Sequence, residues 1–201
     1  MAHSIYISPS LQPGNLYVDG SGSEQYHMQA VGRLVVELLE KHQQFVVYSN
    51  RPGMTLRQAM DESNDLAVDA HVAIHSNAGS GEGTEIWIVE KGYRAEKLAK
   101  AIYRYLAPLS PGEDRGIKES TYYGEVRETN APAVIVETEF HDDQKLAKWI
   151  GQHHEELAQS IYRGICEYFE VTPIESQLTE VIQVEVHIGD RVYQGKLKEM
   201  G

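Results

Sequence analysis

A chain of 201 residues, 41% hydrophobic and 24% charged, is long enough for one sizeable domain with a buried core. Its formal net charge of −12 argues against a nucleic-acid backbone or an anionic membrane surface as the main partner. The single cysteine, Cys166, excludes an internal disulfide and a cysteine-built zinc knuckle, and its apolar helical setting marks it as a buried structural thiol.

Residues 3–8 alternate around Ile5, Tyr6 and Ile7 and predict a first strand. The N-terminus lacks the basic start and apolar stretch of a signal peptide, and no apolar run reaches membrane-spanning length. The expectation is synthesis in the cytoplasm without a Sec signal. Residues 9–22 are rich in Pro, Gly, Ser and Asn and read as a loop. Ser23 is a good N-cap with Glu24 in the first turn, and the helix runs to about residue 42 with Met28, Val31, Leu34, Val35, Leu38 and Leu39 on one stripe. A second strand (45–48) and a second helix (55–66) follow. Val72, Ala73 and Ile74 form a short buried strand that ends at His75. Residues 84–90 alternate as another strand, and 93–106 form a helix closed by Pro108. Residues 114–129 are polar and contain Gly, which reads as short strands and loops. Ala133 to Val136 is a buried strand ending in Glu137, followed by helices over 142–150 and 153–169.

Strands and helices alternate to about Val171, which predicts an α/β domain over 1–171 with a mixed, mainly parallel central sheet flanked by helices. Residues 180–198 differ. They alternate strictly through Val181, Val184, Val186 and Ile188, and Gly189-Asp190 is a two-residue turn signal. A β-hairpin in a C-terminal extension over 172–201 is expected. An isolated hairpin is marginal in water, so it should pack on the domain or join copies into a homo-oligomer.

Open α/β sheets place ligands at the C-terminal ends of their strands. A neutral imidazole such as His75 can bind metal there, or be satisfied by a backbone partner. Glu24 alone reads as a helix-start carboxylate favoured by the dipole. Glu137, directly after four apolar residues, is either paired inside the fold or functional. Zinc hydrolases combine a few His and carboxylate ligands, an open position for water and a nearby carboxylate base. Two other features carry less. His153-His154 reads as a solvated pair, and the glycine-rich stretch 79–83 lacks a P-loop's lysine and reads as a flexible loop.

The chain resembles the zinc-dependent N-acetylmuramoyl-L-alanine amidases of the amidase-3 family. The matching pieces are Ile-Tyr-Ile-Ser-Pro-Ser at 5–10, Gly-Ser-Glu at 22–24, Ala-Ile-His-Ser-Asn-Ala at 73–78, Arg115-Gly116, and Pro-Ala-Val-Ile-Val-Glu-Thr-Glu-Phe-His-Asp-Asp at 132–143. They occur in family order across almost all of residues 3–170. The resemblance implies cleavage of the amide between the lactyl group of muramic acid and L-alanine in peptidoglycan. It implies Glu24 and His75 as metal ligands and Glu137 as the general base. Asn77 would orient His75 or the substrate peptide.

One departure stands out. The family has a further histidine ligand in the loop after the first strand, where this chain has none and Gly14 takes the place. His141, just past Glu137, is the expected replacement. His27, one helical turn after Glu24, comes next, and solvent, a Gln12 or Asn15 amide, or no bound metal remain open. The expected activity is therefore a zinc amidase acting on the cell wall after lysis or release by a route other than Sec. The alternatives are a wall-binding or regulatory domain that has lost its metal, and a peptidase of similar architecture.

Overall fold

The computed structural model describes residues 2–174 and, beyond them, the backbone of two strands at 182–188 and 191–197. Strand β1 (His3–Pro9) is followed by α1 (Glu24–Leu39), β2 (Phe45–Ser49), α2 (Leu56–Asp65), β3 (Ala70–Asn77) and β4 (Glu85–Ile88). Then come α3 (Arg94–Leu106), β5 (Ile117–Glu119), the single turn α4 (Gly124–Arg127), β6 (Ala133–Phe140), α5 (Gln144–Gln152) and α6 (His154–Tyr168). Six strands form one sheet in the order β2-β1-β3-β6-β4-β5. All pairs are parallel except β4 with β6, so the sheet is mixed and mainly parallel, as expected.

Apolar residues decide how the layers stack. Ile5, Ile7, Val72, Ile74, Val134 and Val136 alternate along the three central strands and are fully buried on one face. There they meet the stripe of α1 (Met28, Val31, Val35, Leu39) and the inner sides of α3, α5 and α6. The opposite face carries Tyr6, Ala73, Ala133 and Ile135, covered by Ala59 of α2 and Val126 of α4. Helix α6 lies very close to α3 because Gly164 has no side chain. A Cβ there would sit 2.3 Å from the Ile102 Cα.

Among the described residues, side-chain caps fix three of the six helix starts. The Ser23 Oγ accepts from the Tyr26 amide, and Thr55 and Gln58 form a reciprocal capping box on α2. Helix α1 stops at Leu39, short of residue 42. The chain turns there, and His42 is buried against the Tyr162 hydroxyl at 2.6 Å.

Two strands run further than the sequence predicts. β3 continues past His75 to Asn77, and β6 continues past Glu137 to Phe140, through a register shift between His75 and Asn77. His75 and Glu137 therefore sit inside the paired sheet, near its C-terminal edge. The expected C-terminal strands are β7 (Ile182–Ile188) and β8 (Arg191–Leu197), paired antiparallel with Ile188 opposite Arg191. The turn Gly189-Asp190, the segment 175–181 and the alternating side chains of the hairpin lie outside the described residues. Among the described residues no helix is long and apolar enough to cross a membrane.

Candidate active site

His75 on β3, Glu137 on β6 and Glu85 on β4 are successive register partners across three strands. Side chains in register project from the same face, so these three form one polar row near the edge of the sheet. Glu24 reaches the row from the N-terminus of α1. Its Oε1 lies 2.8 Å from His75 Nδ1. The amide of Asn15 donates to Glu24 Oε2 at 2.7 Å and to Gln12 Oε1 at 3.0 Å. The Gln12 amide in turn lies 3.4 Å from His75 Nδ1. In the first loop it is thus Gln12 and Asn15 that meet the site. Gly14, expected to mark the vacant ligand position, is exposed with nothing near its Cα side.

The second nitrogen of His75 is also engaged: Nε2 donates to Glu125 Oε2 at 3.0 Å. Burial opposes charge on this imidazole, but the carboxylates of Glu125 and Glu24 on its two sides outweigh burial and hold its pKa well above the usual value. Burial likewise opposes ionisation of Glu24, yet hydrogen bonds from His75 and Asn15 keep its carboxyl below the ordinary range. Glu137 is the exception. Burial raises its pKa from 4.5 to about 7, His75 acts against the shift, and the nearby carboxylates of Glu24, Glu85 and Glu125 add to it. Its Oε2 is buried and has no hydrogen-bond partner. Glu85, by contrast, is neutralised by Arg115 and Lys118 and accepts from Asn77.

Glu125 is the residue that sequence reasoning missed. It sits on α4, inside the segment 114–129 read as polar loop, and is almost fully buried. The one available signal was a carboxylate beside the apolar Val126, which packs on Ala73, Ala133 and Ile135.

Other expected participants lie elsewhere. The His141 Nδ1 is bonded to the Ser76 hydroxyl at 3.0 Å and carbonyl at 3.1 Å, and the ring stacks on Tyr17. The structure does not bring it into the Glu24–His75 pair. His27 lies on the buried side of α1. It is buried, stacks on Tyr17, and meets Ser21 and His154 at 2.9 Å each. His154 is correspondingly half-buried, and His153 is stacked on Trp149 and bonded to its carbonyl, so neither is simply solvated. Asn77 touches Glu85 rather than His75. The loop at 79–83 is pinned, since Asp142 accepts from the amides of Gly79 and Ser80, and Glu139 from that of Gly83. Asp143 caps α5 by accepting from the amides of Lys145 and Leu146.

The site fits a divalent cation in one specific respect. An ionised carboxylate oxygen and an imidazole nitrogen 2.8 Å apart are both acceptors unless a proton or a metal lies between them. Glu24 and His75 are strong zinc donors, and Gln12 is a weak neutral one. Among the described residues no three His, Cys, Asp or Glu side chains are grouped as a metal cluster, and Glu24 and His75 are the strong donors that meet here.

Comparisons with known proteins give a consistent result. The family described as Amidase_3, N-acetylmuramoyl-L-alanine amidase, matches residues 10–167. The N-acetylmuramoyl-L-alanine amidase CwlM of Bacillus licheniformis is 27% identical over 166 residues, covering 80% of this chain and 64% of CwlM. The uncharacterized protein YqiI of Bacillus subtilis (strain 168) is 28% identical over 123 residues, covering 58% of this chain and 59% of YqiI. The chain thus spans less than two thirds of either relative. In fold it resembles the catalytic domain of CwlV, an N-acetylmuramoyl-L-alanine amidase from Bacillus (Paenibacillus) polymyxa var. colistinus, with a TM-score of 0.77 at 23% identity over 85% of this chain and 99% of that one. An N-acetylmuramoyl-L-alanine amidase from Clostridium difficile 630 also superposes with a TM-score of 0.77, at 23% identity over 84% of this chain and 97% of that one.

Proposed function

The chain belongs to the N-acetylmuramoyl-L-alanine amidase family, and on that premise we propose that it hydrolyses the amide between N-acetylmuramic acid and L-alanine in peptidoglycan. In this reading Glu24 and His75 hold a zinc ion, Gln12 and solvent complete its surroundings, and Glu137 is the general base. The assignment of the third position to His141 gives way to Gln12, because His141 is committed to Ser76 and Tyr17. The observation that carries the proposal is the close Glu24–His75 pair beside a buried, unpartnered Glu137 oxygen.

Zinc supplies Lewis acidity, which lowers the pKa of water and stabilises negative charge developing on the amide oxygen. The remaining steps belong to the chain. Glu137 Oε2, without a hydrogen-bond donor of its own, takes the proton from the attacking water as the new C–O bond forms. It then delivers that proton to the alanine nitrogen as the C–N bond breaks. A carboxyl titrating near neutrality suits both halves of this transfer. Arg115 and Lys118 hold the neighbouring Glu85 ionised and paired, which keeps it from competing as a base. A hydrogen bond from Asn15 orients Glu24.

Incubating the protein with a muramyl dipeptide, with and without added zinc, tests the reading. Zinc-dependent appearance of a free alanine amine and a free lactyl carboxylate, quantified by mass spectrometry, is the expected result. Cleavage within a longer stem peptide would make it a peptidase, and no cleavage with zinc bound would favour a wall-binding role.

A further inference from the structure

We infer that Glu125 is a positioning residue for the metal site: its carboxylate holds His75 as the Nε2–H tautomer, leaving Nδ1 as the nitrogen that binds metal. This rests on the metal-hydrolase reading and goes beyond it by assigning a residue and a ligating atom.

The geometry is specific. Glu125 Oε1 accepts from the Ser8 hydroxyl at 2.7 Å, and Oε2 from His75 Nε2 at 3.0 Å. His71 Nε2 lies 3.6 Å from Oε1. Ser8 is itself held by the Asn50 amide at 3.3 Å. An ionised carboxylate has no proton to donate, so the proton between it and His75 resides on Nε2. The nitrogen left for a metal is then Nδ1, on the side of Glu24 Oε1 and Gln12, where a cation would displace the proton shared with Glu24. A carboxylate behind a ligating histidine fixes both tautomer and ring orientation and raises ligand basicity.

Placement supports the same role. Glu125 arrives from α4, Ser8 from β1, and His71 and His75 from β3. Val126 anchors α4 in the apolar cluster on β3 and β6, and Asn64 of α2 donates to the Glu128 carbonyl at its end. The carboxylate is therefore held from several elements at once. This matters most in a site with only two strong protein ligands, where a freely rotating imidazole would weaken an already sparse donor set.

The test uses the full chain, with zinc affinity measured by competition against a chromophoric chelator and His75 followed by ¹⁵N-edited NMR. Zinc-loaded wild type should show a slowly exchanging Nε2–H and a coordinated Nδ1. Glu125→Leu removes the acceptor and should weaken zinc binding by about 10–100-fold. Glu125→Gln keeps an acceptor of the same shape without the charge. It should lose less affinity and move the Nε2–H resonance upfield. If the leucine variant does not fold, the glutamine variant decides: wild-type zinc affinity together with an unaltered His75 spectrum overturns the inference. Coordination through Nε2 in the wild type overturns it as well. Wild-type protein that takes up no zinc would sink the metal-hydrolase reading itself, whereas wild-type uptake with unaffected variants would sink only the role of Glu125.

Discussion

Glu137→Gln is expected to abolish hydrolysis while stabilising the metal-free fold above neutral pH. Glutamine keeps the side-chain shape but cannot accept a proton, and a lost general base costs about 10²–10⁴ in rate. Stability moves the opposite way. Burial raises the Glu137 pKa from 4.5 to about 7, with the surrounding carboxylates adding to it. A shift of that size corresponds to about 3 kcal/mol. Part of the residue reaches solvent, so about 1–2 kcal/mol is the share expected in practice. At about pH 4 the carboxyl is mostly protonated in both the folded and the unfolded chain, and glutamine gains little. As pH rises towards about 7, the unfolded chain releases its proton while the fold retains it, so wild type loses stability. Above that the loss is complete, and the glutamine variant should melt about 2–8 °C higher. Circular-dichroism melts of chelator-stripped wild type and variant at about pH 4.5 and pH 8 measure the difference. Equal melting temperatures at the higher pH, or a wild type that is the more stable there, would refute the claim that Glu137 carries an unsatisfied buried charge.

Four further expectations concern other parts of the molecule. Gln12→His places an imidazole beside His75 and should tighten zinc by about tenfold or more, while Gln12→Ala should weaken it; equal affinity in both would remove Gln12 from the site. His141→Ala should leave zinc content unchanged and cost about 1–2 kcal/mol in urea unfolding, through the lost Ser76 bond and Tyr17 stacking; zinc loss without destabilisation would restore His141 as a ligand. Gly164→Ala should destabilise by about 1–3 kcal/mol or more, since its methyl meets the Ile102 backbone, and an unchanged melt would mean α3 and α6 can separate freely. Ending the chain after Ile174 should leave turnover per folded molecule unaltered and abolish any self-association seen by size-exclusion chromatography, because every proposed site residue precedes that point; a folded, full-affinity, inactive truncation would contradict this.

The sequence by itself determined the layers and where Glu24 and His75 emerge from them. Alternating apolar residues in β1, β3 and β6 and the stripe on α1 specify which surfaces must be buried, and a sheet covered by helices is how such a pattern buries them. Glu24 after the Ser23 cap and His75 after an apolar strand were legible because local pattern fixes where both side chains emerge. What surrounds them was decided only by the tertiary structure. His141 and His27 look like ligands from spacing alone, but Tyr17, brought in by the first loop, stacks on both rings, Ser76 bonds the Nδ1 of His141, and His154 and Ser21 bond the two nitrogens of His27. Gln12 reaches His75 and Glu125 comes up behind it from a one-turn helix fifty residues away in sequence. Hydrophobic periodicity dictates which face of an element is buried. Which polar atom meets which across the sheet edge depends on register, on the shift between His75 and Asn77, and on loop closure, and those are properties of the packed chain as a whole.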